Sequence, residues 1–273
     1  MFKDMLGNVR KQCPIVHNIT NYVTVNDCAN ILLATGASPI MADDINEVEE
    51  ITSICSALNI NIGTLNSNTI DAMYTAGRKA KELSHPVVLD PVGAGASTLR
   101  TATAAGLLRE LQPTVVRGNI SEIKALASGA SGTKGVDADT CDKITLENID
   151  SAVEFAKDFA ARNNTVVAIT GAIDIVADRK KAYCIFNGNA MMSSVTGTGC
   201  QLSAMTAAYI AANKDNILEA TAASVCAMGV CGEIAYARLT KDDGNSSYRN
   251  YIIDAVYRLD GETLERYAKY EIK

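Results

Sequence analysis

The feature of this sequence that most constrains its fold is the alternation of short apolar runs with longer segments of helical periodicity. Several runs are continuously apolar, as expected of parallel strands buried on both faces. Parallel neighbours must be joined by crossovers, so the alternation predicts an α/β fold with a mostly parallel central sheet and helices on both faces. The candidate strands are residues 38–41, 57–62, 86–89, 114–117, 166–170, 174–177 and 182–186.

The segments between and after these runs have helical patterns. They predict helices at about 23–34, 48–57, 68–83, 102–111, 121–127, 147–162, 201–212, 218–239 and 247–259. The last three follow one another with few strand signals, which predicts a helical C-terminal third. Neither repeats nor a Pro/Gly/Ser-rich linker interrupts the 273 residues, so we expect a single domain over residues 1–273.

Charge and aromatic content argue against a nucleic-acid partner. The 31 acidic and 25 basic residues give a net charge of −6, without the basic stripe that phosphate backbones require. The chain has no Trp and 5% aromatic residues, too few for base-stacking platforms.

The hydropathy pattern argues against export and membrane insertion. Residues 1–12 carry four charges with no apolar run behind them, unlike a signal peptide. The longest uncharged stretch, 182–213, is broken by Asn, Gly, Ser and Thr, which favours buried protein over a membrane span. We therefore expect a cytoplasmic protein.

The eight cysteines are scattered, with no C-x-x-C spacing, and only two histidines accompany them. This pattern disfavours a zinc site and predicts reduced thiols that act mostly as small buried hydrophobes.

Charged residues collect where three predicted strands end, the edge at which open parallel sheets bind ligands. Asp90, Arg117, Glu122 and Thr170 all follow or end such runs. Two carboxylates that hold Mg²⁺ through water, beside an arginine, suit a metal–nucleotide polyphosphate. Simpler interpretations stay open: Asp90 before proline is a common turn former, and Asn119 with Glu122 matches a helix capping box.

The strongest local signal is Gly197-Thr198-Gly199-Cys200 at the start of an uncharged helix. Glycines there let backbone N–H groups approach a phosphate, and the helix dipole favours the anion. A glycine turn that only admits a buried helix is the alternative. Walker A and dinucleotide motifs are absent, since no Gly-Lys pair occurs and the 93–98 segment lacks the third glycine.

Residues 17–26 concentrate amides and hydroxyls ahead of a predicted helix. Capping explains one or two of them, and the remainder are candidates to line a polar pocket. His85, in a Ser-His-Pro connection, is expected to have a surface or structural role.

Five stretches in this order resemble the hydroxyethylthiazole kinases of thiamine biosynthesis, within the ribokinase-like superfamily. They are residues 17–23 (HNITNYV), 38–41 (SPIM), 89–93 (LDPVG), 117–123 (RGNISEI) and 195–200 (VTGTGC). The resemblance spans nearly the whole chain. The superfamily generally has Asp at the position of Cys200, whereas the thiazole kinases have Cys, which favours the narrower family.

The resemblance implies transfer of the ATP γ-phosphoryl group to the hydroxyl of 5-(2-hydroxyethyl)-4-methylthiazole. It implies that Met41 and Gly197 contact the thiazole alcohol, that Arg117 and Thr170 contact ATP, and that Mg²⁺ lies near Asp90 and Glu122. Asn21 and Asn26 are further candidate substrate contacts. It also implies a homotrimer with active sites between subunits, with residues 17–26 as the candidate wall from a neighbour.

Cys200 is the candidate catalytic residue, as a modest base or only as a positioning group. A loose phosphoryl-transfer transition state needs positioning and charge neutralisation more than a strong base. A helix N-terminus is expected to lower the thiol pKa and to provide some thiolate at neutral pH. The N–H groups of Gly197, Thr198, Gly199 and Cys200 are the candidate anion hole.

Three other functions stay open at this point. The first is a hydroxymethylpyrimidine kinase, against which Cys200 and the amide-rich segment argue. The second is a ribokinase-fold lyase that dehydrates a damaged nicotinamide cofactor, and the third is a nucleotide-binding regulatory trimer without turnover.

Overall fold

The computed structural model describes residues 2–128 and 143–273, and all their strands lie in one nine-stranded sheet of order β2-β1-β3-β4-β5-β6-β7-β8-β9. The strands are β1 (Ile15–Ile19), β2 (Ser38–Met41), β3 (Ala57–Asn61), β4 (Val87–Asp90), β5 (Val115–Asn119), β6 (Val166–Thr170), β7 (Asp174–Ala177), β8 (Ala182–Ile185) and β9 (Tyr270–Ile272). The first six are parallel, and β7 to β9 extend the sheet antiparallel.

Helices cover both faces of the sheet. They are α1 (Phe2–Gln12), α2 (Val25–Thr35), α3 (Val48–Ile54), α4 (Ser67–Glu82), α5 (Thr98–Leu111), α6 (Ile120–Ser128), α7 (Ile149–Asn163), α8 (Thr198–Ala212), α9 (Ile217–Arg238), α10 (Asn245–Arg258) and α11 (Gly261–Tyr267). The α/β class and the helical C-terminal third are confirmed.

Alternation along each strand divides the core into two layers. Val88 of β4 belongs to the layer under α1, α2 and α8 to α11, whereas Val87 and Leu89 belong to the layer under α3 to α7. The centre of the first layer is α8, which contacts α2, α9 and strands β1, β3 and β4. Its buried position explains why its sequence carries no charge.

The seven predicted strands are confirmed to within two residues, and the nine predicted helices are all present. The largest boundary error is at α5, which starts at Thr98 rather than 102 because the Ser97 side chain caps it by accepting the Arg100 N–H at 3.2 Å. The helix predicted over 48–57 ends early, at Ile54, because Cys55 adopts an extended backbone before β3.

Sequence patterning missed β1, β9, α1 and α11. His17 and Asn18 interrupt the apolar run of β1, but both are buried. The ring nitrogens of His17 form hydrogen bonds with Thr52 Oγ1 and the Ala42 carbonyl, each at 2.9 Å. This histidine therefore links β1 to α3 and to the residue after β2. β9 is three residues long and forms the edge of the sheet, where it pairs with β8.

Among the described residues, α9 alone is long and apolar enough to cross a membrane, and 78% of its most apolar window is buried inside the protein. This burial is typical of a core helix. The 182–213 stretch forms β8, a short 3₁₀ helix and α8 rather than one long helix, so its interpretation as buried protein agrees with the structure.

Candidate active site

Three predicted site residues meet at the carboxyl ends of the central strands. Asp90 ends β4, Arg117 lies in β5 and Thr170 ends β6. Arg117 Nη2 donates a hydrogen bond to Thr170 Oγ1 at 2.7 Å, and its Nη1 lies 3.5 Å from Asp90 Oδ2. The guanidinium is therefore fixed between two strand ends.

Asp90 is fully buried. Its Oδ2 accepts hydrogen bonds from Asn61 Nδ2 and Ser203 Oγ, both at 2.8 Å, while its Oδ1 finds no partner among the described residues. Burial raises the pKa of Asp90, and the Arg117 guanidinium and the two neutral donors oppose that rise. A buried carboxylate oxygen without a partner has a lone pair free for a ligand.

Glu122 forms the capping box that the sequence left open as one of its two interpretations. Its Oε2 accepts the Asn119 N–H at 2.8 Å, and Asn119 Oδ1 accepts the Glu122 N–H at 2.9 Å, so the capping box at α6 is real. Its Oε1 accepts the Gly93 N–H at 2.9 Å. Burial and the neighbouring Asp90 charge raise the pKa of Glu122. The capping residue is thus also a second buried carboxylate beside Asp90.

The glycine turn before α8 is tightly enclosed. Gly197 has a φ of +88°, and a Cβ there would collide with the side chain of Thr24. A Cβ at Gly199 would collide with the Arg117 guanidinium. Because Gly197 offers the first turn of α8 no side-chain acceptor, the N–H groups of that turn have the arrangement in which helix N-termini bind anions.

Cys200, in the first turn of α8, is linked to Asp90 through two asparagines. Asn21 Nδ2 donates to Cys200 Sγ at 3.3 Å and to Asn61 Oδ1 at 2.9 Å. Asn61 Nδ2 in turn donates to Asp90 Oδ2. The four side chains form one hydrogen-bonded chain across the carboxyl edge of β3 and β4.

Backbone donors fix the orientation of both amides in this chain. The Thr24 N–H donates to Asn21 Oδ1 at 3.1 Å, and the Gly63 N–H donates to Asn61 Oδ1 at 2.9 Å. A backbone N–H only donates, so the amide nitrogens must face Cys200 and Asp90. The sulfur of Cys200 therefore receives an N–H donor.

The expectation that the helix N-terminus lowers the pKa of Cys200 is wrong. Burial raises the pKa of this thiol and the Asp90 charge raises it further, against hydrogen bonds from Thr24 and Asn21 and the charge of Arg117. Sequence position gives the helix end, but burial depends on the tertiary packing. Cys200 is consequently a neutral thiol at pH 7.

A cavity of about 550 Å³ opens beside these residues. Arg117, Thr170, Thr198 and Gly199 line one end. The other walls come from the segment after β8 and from α9, through Phe186, Asn187, Gly188, Val225, Met228 and Gly229. A cavity lined by an arginine, a helix N-terminus and the apolar side chains of Phe186, Val225 and Met228 fits an anionic ligand with an apolar ring.

The remaining predicted residues lie around this centre at different distances. Met41 ends β2 beside Asn18 of β1, at the same sheet edge, and Met41 and Cys200 each pack against the same core layer. Asn26 is exposed on α2, where its Oδ1 accepts from Asn30 Nδ2 at 3.0 Å. The structure brings Asn21, Asp90, Arg117, Thr170 and Cys200 together and leaves Asn26 outside.

Sequence analysis missed Asn61 and Ser203. The signal was present in both cases, since Asn61 is a polar residue in the apolar strand β3, and Ser203 is three residues after Cys200 on α8. The sequence does not show that either residue contacts Asp90, because each contact joins elements that are distant in sequence.

Comparison with known proteins gives a consistent result. The sequence model of the hydroxyethylthiazole kinase family matches residues 6–262. A hydroxyethylthiazole kinase of Clostridium acetobutylicum is 66% identical over 271 residues, which cover 99% of each chain. The structure of a hydroxyethylthiazole kinase protein from Pyrococcus horikoshii superposes with a TM-score of 0.88 at 36% identity, covering 100% of this chain and 98% of that one.

A more distant structure supports the fold alone. The pyridoxal kinase of Staphylococcus aureus, in complex with ADP, has a TM-score of 0.61 at 14% identity and covers 95% of this chain and 97% of its own. The fold is therefore ribokinase-like, as the sequence predicted. With the family match spanning most of its length, the chain belongs to the hydroxyethylthiazole kinase family.

Proposed function

We propose that this protein transfers the γ-phosphoryl group of ATP to the hydroxyl of 5-(2-hydroxyethyl)-4-methylthiazole in thiamine biosynthesis. The observation that carries the proposal is Arg117, held between Asp90 and Thr170 against the open N-terminus of α8. Positive charge and backbone donors meet there beside an enclosed cavity, as phosphoryl transfer requires. Full-length similarity to hydroxyethylthiazole kinases supports the choice of substrate.

ATP occupies the 550 Å³ cavity, with its polyphosphate towards Arg117, Thr170 and the first turn of α8. Arg117 neutralises charge on the phosphates, and the N–H groups of residues 197–200 hold the oxygens of the transferring group. Both act from positions set before the substrate arrives. Such preorganised donors cost no rearrangement at the transition state.

The two buried carboxylates fit a Mg²⁺ ion that accompanies ATP. Asp90 Oδ1 is a buried oxygen without a partner among the described residues, and each oxygen of Glu122 accepts one backbone N–H and keeps a lone pair. Asp90 and Glu122 would hold Mg²⁺ through water, as two carboxylates commonly do. When bound, the ion neutralises charge that develops on the phosphates.

The alcohol binds on the other side of the α8 turn, towards Cys200, Asn21, Gly197 and Met41. The neutral thiol of Cys200 and the amide of Asn21 orient the hydroxyl for in-line attack. Because the loose transition state places little early charge on the attacking oxygen, a positioning group is sufficient at neutral pH.

Replacement of Cys200 by serine or alanine is expected to lower kcat by about tenfold at pH 7, below the 10²–10⁴-fold range of general-base catalysis. The pKa of the thiol is raised, so the thiolate fraction increases only at alkaline pH. The profiles of kcat against pH between 6 and 8 should therefore be parallel for the wild type and Cys200→Ser. A wild-type rate that rises with pH, together with a variant at least a thousandfold slower whose rate is flat, would assign Cys200 as the base.

We further propose a homotrimer with each active site completed by a neighbour. Tyr22 and Val23, next to Asn21, expose 79% and 57% of their surfaces, and Asn26 is exposed one turn later. Large apolar residues beside a functional segment are typical of an interface. On this basis Asn26 contributes to the active site of a neighbouring subunit, where it contacts the substrate or forms part of the wall. It does not contribute to the site of its own subunit.

Sedimentation tests the assembly. The wild type should sediment at three times the mass of the 28.9 kDa chain, and Tyr22→Asp should dissociate and lose most of its activity. Leu146→Asp is the matched control, since Leu146 is similarly exposed but lies just before α7, on the other face of the sheet. A fully active monomer contradicts the proposal.

We place the protein in the cytoplasm, where ATP is available and thiols stay reduced. All seven cysteines within residues 2–128 and 143–273 are free. We also propose that the chain forms one domain, supported by the single sheet of the described residues.

The activity is tested with purified protein, ATP, Mg²⁺ and the thiazole alcohol, with mass spectrometry to identify the product. Thiazole phosphate and ADP in equal amounts are expected. ATP consumption without thiazole phosphate would contradict the proposal.

A further inference from the structure

One wall of the cavity is held by residues outside the catalytic cluster. Asn187, Gly188 and Asn189 follow β8 and line the cavity. The segment has no regular secondary structure of its own. Its position is set by Glu233 of α9 and by residues 267–269 at the end of α11.

Glu233 receives three hydrogen bonds at this wall. Its Oε1 accepts the Gly188 N–H at 3.0 Å and Asn187 Nδ2 at 3.1 Å, and its Oε2 accepts Lys269 Nζ at 2.8 Å. Burial alone would raise the pKa of Glu233, but these bonds outweigh it and hold the pKa below its usual value. The carboxylate therefore stays ionised at neutral pH.

Asn187 extends the same connection to the C-terminal segment. Its Oδ1 accepts the Lys269 N–H at 2.7 Å, and its Nδ2 donates to the Tyr267 carbonyl at 2.9 Å. The backbone donor fixes the orientation of the amide. Asn187 is buried, so each of these bonds replaces one that water would otherwise make.

Helix α9 packs so closely against the wall that residues 187–189 have no room to move towards the helix. A Cβ on Gly229, one turn before Glu233, would lie 2.6 Å from Asn187 Cβ and 2.9 Å from its carbonyl carbon. A side chain at Gly232 would likewise meet Met192, which also lines the cavity. Contacts with α9, together with hydrogen bonds to Glu233 and to residues 267–269, define the position of residues 187–189.

We infer that Glu233, paired with Lys269, is a positioning residue for the nucleotide, which it serves by fixing the Asn187–Asn189 wall of the cavity. The inference rests on the proposed function, because it takes the ligand of this cavity to be ATP. Glu233 acts through Asn187 and Gly188 and is separate from the phosphate-binding end at Arg117. Lys269 lies beyond residues 6–262, so the last residues of the chain contribute to nucleotide binding.

The test compares KM values for the two substrates in Glu233→Ala, Glu233→Gln and Lys269→Met. We expect KM for ATP to rise about tenfold in Glu233→Ala, in line with the loss of hydrogen bonds to a charged group, and about threefold in the other two variants. KM for the thiazole alcohol should stay within twofold of the wild type. The affinity for Mg²⁺–ADP, measured by equilibrium titration, should fall by the same factors as KM for ATP rises.

The matched control is Arg238→Met, which removes a 2.7 Å ion pair from the same helix, to Asp254, away from the cavity. It should leave both KM values unchanged. Unchanged KM for ATP in all three variants, or equal increases for both substrates, would overturn the inference. If Glu233→Ala does not fold, the other two variants decide the result. Wild-type protein that fails to bind Mg²⁺–ADP would instead refute the proposed function, and this inference with it.

Discussion

Substitution of Asp90 by asparagine is expected to lower kcat/KM by about a thousandfold, which is at the upper end for loss of one preorganised electrostatic group. The carboxylate is fully buried and lies 3.5 Å from Arg117 Nη1. The amide keeps the shape but removes the charge that holds the guanidinium. It also removes the anionic oxygen proposed for Mg²⁺.

Two controls separate this effect from general damage. Asp158→Asn removes a surface carboxylate, paired with Arg162 at 2.6 Å, and should change kcat/KM by less than twofold. Melting temperatures of both variants report folding. A well-folded Asp90→Asn protein within threefold of wild-type kcat/KM would show that the carboxylate has no catalytic role.

Arg117→Met is the second change with a large expected effect, again about a thousandfold in kcat/KM. Arg117→Lys should recover part of the activity, to within about a hundredfold of the wild type. Lysine keeps the charge but lacks the planar fork that bonds Thr170 while it lies beside Asp90.

Steady-state kinetics of both variants, with Arg78→Met as control, check this prediction. Arg78 forms an exposed ion pair with Glu110 at 2.9 Å, far along α4, and its loss should be neutral. Full activity of Arg117→Lys would mean that only charge matters at this position. Full activity of Arg117→Met would show that the guanidinium has no role in catalysis.

The strand ends of the site are predictable because continuous apolar runs mark buried parallel strands. Whatever follows such a run lies at the ligand-binding edge, and this rule alone brings Asp90, Arg117 and Thr170 together. The glycine turn at 197–199 is predictable because glycines stand at the start of an uncharged helix, which itself indicates a buried position.

The residues that connect these groups are not predictable from local pattern. β1 was missed because His17 and Asn18 break its apolar run, although tertiary partners satisfy both. Asn61 reaches Asp90 from a neighbouring strand, and Glu233 meets Lys269 across 36 residues. Such contacts depend on how elements pack, which periodicity does not encode.

Cys200 illustrates the same limit for electrostatics. Its place in the first turn of α8 favours a lowered pKa, but burial and Asp90 reverse the sign. Both opposing effects come from elements that are distant in sequence. A pKa shift inferred from a helix N-terminus alone is therefore wrong when the helix lies in the core.

The proposed function is phosphorylation of the thiazole alcohol at this site. The most direct test is a competition in one reaction, with ATP, Mg²⁺ and equal concentrations of hydroxyethylthiazole and hydroxymethylpyrimidine, with products followed by mass spectrometry. We expect thiazole phosphate as the dominant product, with stoichiometric ADP. Predominant pyrimidine phosphate would contradict the proposed function. So would the absence of any phosphorylated product while a parallel reaction, with ATP and a hydrated nicotinamide cofactor, yields the dehydrated cofactor.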